Sequence, residues 1–319
     1  MGSPMPTKKY DVLVIGDANV DLILRGEDIV PDFGQAEKLV EDARLELGGS
    51  AAIFACGASR LGLKVGFIGK LGADTFGNFL VDVMNKRGID TSHILMASDR
   101  RTGLTVHFSR PHDRAMLTFP GTINEFSCDE IDDQLFYHTR YVHLGSYFLQ
   151  TALQPGLAEF FSGLRAKGVR ISLDPGWDPR EKWNGYLGKV LDQIDVFLPN
   201  DQEAVRITSS ETTSQALQEL SIYSLLPVIK LGDKGACSIW NGDEVFQPGY
   251  KVRNIDTTGA GDSFNAGFLY AHLQGEEIRD CLQWGCACGA LSTTHPGGIE
   301  GQPSRVEVEN FLSIQDDRK

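Results

Sequence analysis

Short apolar runs and segments of helical spacing alternate along most of the chain. The runs at residues 11–16, 64–69, 140–145, 169–174, 196–198 and 228–231 are rich in Val, Ile and Leu. Such runs, bounded by turn residues, predict strands buried on both faces of a parallel sheet. Between and after them, apolar positions recur with helical period at 51–62, 76–87, 154–165, 263–273 and 279–291, and residues 303–312 read as a closing helix. The order predicts an α/β fold with a central, mostly parallel sheet.

Two stretches break this rhythm. Residues 22–47 hold a loop-like part and then an extended ribbon carrying Leu39, Val40, Leu45 and Leu47. Residues 101–123 hold a hairpin, with strands at 102–108 and 115–119 flanking a polar turn at 110–114. Strand pieces inserted into an α/β chain predict a small sheet apart from the main one, and its open edges predict a paired subunit. Asn241-Gly242, between 237–240 and 244–246, marks one more edge hairpin.

Composition narrows the class. The chain has 319 residues, 41% hydrophobic content, 35 glycines and a formal charge of -13, which fits a folded protein with many turns and argues against a general nucleic-acid surface. Cys56, Cys128, Cys237, Cys281, Cys286 and Cys288 lack a zinc-like pairing, so they read as thiols of a cytoplasmic protein. Residues 1–10 carry no apolar export core, and no segment is long and apolar enough to suggest a membrane partner.

The densest chemistry lies at 256–262, Asp-Thr-Thr-Gly-Ala-Gly-Asp, directly before the helix at 263–273. Gly259, Ala260 and Gly261 permit a tight turn with close approach of a ligand, and the first N–H groups of the helix favour an anionic oxygen. Asp262 reads either as a helix-start acid or as a carboxylate placed to meet a substrate hydroxyl. Elsewhere, Asn19 and Asp21 follow the first strand, and Gly48-Gly49 precede the helix carrying Ile53. Asp174 ends a strand, and Asn200 with Glu203 has helix-start spacing. Lys230, Gly232 and Gly235 form a strand-to-turn unit without Walker spacing, and no dinucleotide fingerprint follows the early strand.

The 256–262 motif closely resembles the second signature of the ribokinase-like, or PfkB, carbohydrate kinases. The resemblance runs from Val12 to Leu312. It implies a three-layer α/β/α kinase domain over 10–312, with a β-sheet lid built from 22–47 and 101–123 that also serves as a homodimer contact. It implies ATP and Mg2+ as cofactors, with K+ as an open further requirement. In that pattern Asp262 is the base and Gly259, Ala260 and Gly261 form the anion hole. Asn19, Asp21, Gly48, Gly49 and position 53 belong to the sugar pocket. Asn200 and Glu203 organise magnesium through water, Lys230, Gly232, Gly235 and Gly261 lie beside the nucleotide, and Asp256 with the loop 294–298 is the candidate monovalent-cation site. Ile53 departs from the first signature, Gly-Gly-x-x-x-Asn-x-Ala, because it stands where asparagine is usual and cannot hydrogen-bond a hydroxyl. The expected activity is transfer of phosphate from ATP to an alcohol of a small sugar: a fructose-like ketose, ribose or a sugar acid. A nucleoside kinase and a non-catalytic sugar-binding regulator are the alternatives.

Overall fold

In the computed structural model, residues 8–110, 113–183, 186–223 and 226–316 are described. Residues 1–7 of the N-terminal stretch and residues 111–112 of the expected hairpin turn lie outside them. The strands are β1 (Val12–Ile15), β2 (Asn19–Arg25), β3 (Asp42–Gly48), β4 (Val65–Gly72), β5 (Asp90–Ala97), β6 (Gly103–Arg110), β7 (Asp113–Phe119), β8 (Tyr141–Leu144), β9 (Arg170–Leu173), β10 (Val196–Phe197), β11 (Leu226–Lys230), β12 (Gly235–Trp240) and β13 (Asp243–Pro248). The helices are α1 (Ser50–Arg60), α2 (Thr75–Lys86), α3 (Gln154–Ala166), α4 (Leu187–Leu191), α5 (Asp201–Thr208), α6 (Thr213–Tyr223), α7 (Ala260–Gln274), α8 (Ile278–Ser292) and α9 (Arg305–Asp316).

Among the described residues the main sheet has the order β13-β12-β11-β10-β9-β8-β1-β4-β5. Its pairings are parallel except where β12 and β13 extend one edge antiparallel. The alternation of a strand's side chains shows how the layers form. Val12 and Val14 of β1 join a core that includes residues of α1, α2, α7 and α8, whereas Leu13 and Ile15 point into a second core built with α3, α4 and α6. Helices therefore cover both faces, giving three α/β/α layers. The strand β5 carries no sequence signal because it closes an edge and buries only Ile94 fully.

Helix α7 is buried almost all round. The small residues of α8 turn out to serve this contact. Phe264 lies against Gly285, and a Cβ at Gly267 would meet Cys288 Sγ and the Trp284 carbonyl, so the two helices approach at backbone distance. All six cysteines are free thiols.

The second sheet has the order β3-β2-β6-β7. Its register sorts the side chains by face: Glu46, Asp21, Thr105 and Thr118 stand in one cross-strand row, and Leu45, Leu22, Val106 and Leu117 in the next. One face is thus polar and the other apolar.

Candidate active site

The site forms where the N-termini of α1 and α7 meet. Gly259 caps α7 with φ 68°, and a Cβ there would collide with the Gly298 carbonyl and with Ile53 Cγ2. Only glycine suits this turn. The first i→i−4 bond of the helix runs from Ser263 N to the Gly259 carbonyl, at 2.9 Å. The N–H groups of Gly261 and Asp262 therefore stand at the dipole-positive end, ahead of the ladder, in an arrangement that suits an anionic oxygen.

Asp262 lies in the first turn. Burial pushes its carboxyl up to about 7, and the charge of Asp174 adds to the effect. Ser50 Oγ donates to Asp262 Oδ1 at 2.5 Å. Ser50 opens α1, whose N-terminus is held in turn by the buried Asp17. That carboxylate accepts from Ser50 N at 3.2 Å, Ala51 N at 3.0 Å and Ser146 Oγ at 3.0 Å. Gly49, at φ 92°, brings this backbone against Asp17 and Ala18. Asp17 and Ser50 were not singled out in the sequence, where Asp17 looks like an ordinary residue after a strand; their spacing from Asp262 carries no motif.

Behind the α7 start sits a buried polar cluster. Lys230 Nζ donates to Asp174 Oδ2 at 2.6 Å and Asn265 Nδ2 to the same oxygen at 2.5 Å, while Gly176 N donates to Asp174 Oδ1 at 2.9 Å. Burial opposes ionisation of Asp174, but the Lys230 charge prevails and holds it in the carboxylate form. Lys230 is thus engaged with Asp174 beneath Gly261. Gly232 has φ 62° and open space around it, whereas Gly235 is pressed against the backbone of β13.

Asn200 and Glu203 form a reciprocal capping box at the start of α5. Asn200 Oδ1 accepts from Glu203 N at 2.8 Å, and Glu203 Oε2 accepts from Asn200 N at 2.8 Å. Burial, then the charge of Asp174, raises the Glu203 carboxyl to about 7. A buried acid so raised is poorly compensated, which fits a position next to a divalent cation and its waters.

The polar face of the small sheet supplies the opposite wall. Asn19 and Asp21, which follow the first strand in the sequence, stand on β2 of the small sheet. Asn19 Nδ2 donates to Asp21 Oδ1 at 2.8 Å and Thr105 Oγ1 at 3.2 Å, and His107 Nε2 approaches Asp21 Oδ1 at 3.2 Å. A Cβ at Gly48 would overlap the Asp21 carboxylate. Ile53 is buried, and its side chain packs under Gly259 and Gly298 as an apolar floor to the α7 turn. Asp256 has both oxygens engaged: Oδ1 by Thr258 N at 3.0 Å and Thr258 Oγ1 at 2.8 Å, Oδ2 by Gly297 N at 3.1 Å and Arg25 Nη2 at 3.1 Å. The cation facing it is a guanidinium from β2.

The family model for the pfkB family carbohydrate kinases matches residues 9–305. The chain belongs to this family. A relative from Archaeoglobus fulgidus, an uncharacterized sugar kinase, is 32% identical over 257 residues, covering 79% of this chain and 100% of its own. The 2-dehydro-3-deoxygluconokinase of Bacillus subtilis is 28% identical, covering 84% of this chain and 87% of its own. The solved structure of Arabidopsis thaliana ribokinase complexed with ribose and ATP superposes with a TM-score of 0.84 at 24% identity, covering 95% of this chain and 98% of that one. At that identity the likeness establishes the ribokinase-like fold. Among the described residues no helix is long and apolar enough to cross a membrane.

The raised Asp262 carboxyl has a stability consequence. A carboxyl whose pKa in the folded protein exceeds that of the unfolded chain, about 3.9, costs folding free energy as pH rises through the interval up to about 7, and the full cost persists above it. Asp262→Asn removes that cost and keeps an acceptor for Ser50. Its urea midpoint is expected to exceed that of the native protein at pH 8 and to match it at pH 4; an Asn variant less stable at pH 8 would show that the ionised acid is well accommodated.

Proposed function

We propose that this chain transfers a phosphoryl group from ATP, with Mg2+, to an alcohol of a small neutral sugar. The observation that carries the reading is Asp262 in the first turn of α7, beside unladdered N–H groups and with its carboxyl raised to about 7. A base with that value is about half ionised at pH 7, so a substantial fraction is ready to take a proton at neutral pH. In this reading Asp262 accepts the proton of the attacking hydroxyl, and Ser50 fixes the rotamer of the carboxylate. The N–H groups of Gly261 and Asp262, after the Gly259 turn, stabilise charge on the transferring group. Asn200 and Glu203 would hold Mg2+ through its waters, and the ion would neutralise phosphate charge. The open space at Gly232 accommodates nucleotide. Lys230 acts from below, keeping Asp174 ionised and the α7 start in place. Closure of the small sheet as a lid would exclude water from the transfer.

The acceptor is where the relatives diverge, and the pocket wall supplies the argument. Asp21, Glu46 and Asp262 present carboxylates, and the Arg25 guanidinium is held by Asp256. A sugar acid would bring its carboxylate against these groups, whereas hydroxyls satisfy them as donors. A ketose or pentose therefore fits better than an aldonic acid. In an ADP-release screen, kcat/KM for the best neutral sugar is expected to exceed that for any sugar acid by about 10²-fold or more. A sugar acid as best acceptor would overturn the substrate class and leave the kinase reading standing, and a nucleoside as best acceptor would move the chain to that alternative. The apolar face of the small sheet leaves Leu45, Leu117 and Phe119 exposed at 44%, 67% and 52%, which supports its pairing with a second copy.

A further inference from the structure

The small sheet and the catalytic turn are joined by an ion pair that spans 231 positions of sequence. Arg25 ends β2, on the same face as Asn19 and Asp21. Its Nη2 reaches Asp256 Oδ2 at 3.1 Å, with side-chain exposures of 30% and 13%. Asp256 is the first residue of the turn that delivers Gly259. Through Oδ1 it fixes Thr258 N and Oγ1, and through Oδ2 it fixes Gly297 N. Gly297 neighbours Gly298, whose carbonyl lies against Gly259. One carboxylate therefore ties together the two backbone segments that shape the α7 start.

Three further features show that this junction is closely fitted. Glu46, from β3 and directly opposite Asp21, packs its carboxylate onto Gly297 so tightly that no Cβ would fit there. Arg25 Nε and Glu46 Oε2 are both fully buried and carry no hydrogen bond. Finally, the Glu46 carboxyl is raised by burial and then by the neighbouring Asp256 charge. Two carboxylates meet here: Arg25 offsets the charge of Asp256, and Arg44 that of Glu46, both from the small sheet. Lifting that sheet would withdraw the guanidinium, together with Glu46, and leave the part-buried Asp256 carboxylate at the turn without its cation.

We propose that Arg25 is a positioning residue for phosphoryl transfer: its guanidinium, docking on Asp256 when the small sheet seats over the substrate, holds the 256–259 turn in the shape that presents the Gly261 and Asp262 N–H groups. The anion hole is then complete only in the closed state, which ties transfer to sugar occupancy and suppresses transfer to water. The proposal rests on the kinase reading, and its test separates the two. Removal of the guanidinium shifts donors that act in the transition state, so it lowers kcat more than it raises the KM for ATP.

Arg25→Met keeps the apolar stem and removes the charge. Its kcat is expected to fall about 10–100-fold with an ATP KM within about threefold of native. Guanidinium ion at millimolar concentration is expected to restore part of the loss, with no such restoration in Arg25→Met/Asp256→Asn. Backbone hydrogen exchange over 257–262, measured on sugar-saturated protein, reads the same coupling without turnover. Arg25→Met is expected to exchange there about tenfold faster than native, whereas Arg110→Ala, which removes an exposed charge from the end of β6, leaves the rate unchanged. Native exchange over 257–262 together with native kcat in Arg25→Met would overturn the proposal. Absence of transfer by the native protein would overturn the kinase reading, and the exchange measurement would still decide the coupling.

Discussion

Asp262→Asn lowers the turnover of phosphoryl transfer by about 10²–10⁴-fold, the range for loss of a positioned general base, while sugar and ATP still bind. The amide occupies the same space, accepts from Ser50 as the carboxylate does, and cannot take the proton. The pH profile carries the same signature. In the native protein kcat/KM falls as pH drops below about 7, because protonation of Asp262 removes the base. The variant's residual rate lacks that limb. A limb that stays in place in Asp262→Asn would assign the titration elsewhere, with Glu203, also raised to about 7, the first group to examine.

Lys230→Met is the second large effect, and it acts first on stability. Lys230 and Asp174 form an ion pair at 2.6 Å with side-chain exposures of 11% and 6%. Deleting the ammonium strands a buried carboxylate that keeps only Asn265 and the Gly176 N–H. Such removals cost about 3–5 kcal/mol, whereas replacing both members costs much less. Urea unfolding of Lys230→Met, Asp174→Asn and the double variant should therefore show strong non-additivity, with the double variant more stable than Lys230→Met. In the folded fraction of Lys230→Met the acid limb moves to higher pH, since the Lys230 charge lowers both carboxyls, after the Ser50 hydrogen bond at Asp262 and ahead of the Asn200 N–H at Glu203. Additive losses, or an unmoved limb, would mean that Lys230 is oriented toward the nucleotide rather than toward Asp174.

The parts of this architecture that were legible in the sequence are those written in local pattern. The buried strands follow from short β-branched runs, and the start of α7 follows from Gly259, Ala260 and Gly261 ahead of an apolar helix. The reciprocal cap of Asn200 and Glu203 follows from their spacing of three. What was not legible depends on partners far apart in the chain. Lys230 is expected beside the nucleotide, and nothing in its strand-to-turn unit shows that Asp174, 56 residues earlier, lies against it. Asn19 and Asp21 look like loop residues because β2 begins directly after a glycine turn, and nothing in residues 16–21 marks where one sheet ends and the next begins. Ile53 reads as a lost sugar contact, yet its side chain lies under the Gly259 and Gly298 backbones, where an apolar group is appropriate. Arg25 carries no motif at all; its importance comes from the register of β2 and the turn at Asp256.

The central claim is that Asp262 and the α7 start transfer phosphate from ATP to a sugar hydroxyl. Phosphorus NMR of the native protein with ATP, Mg2+ and the best neutral sugar tests it most directly. The account predicts a new sugar phosphate ester formed in step with ADP, dependent on the sugar and absent on the same timescale with Asp262→Asn. Saturable sugar and ATP binding with no ester, or with inorganic phosphate as the sole product, would contradict it.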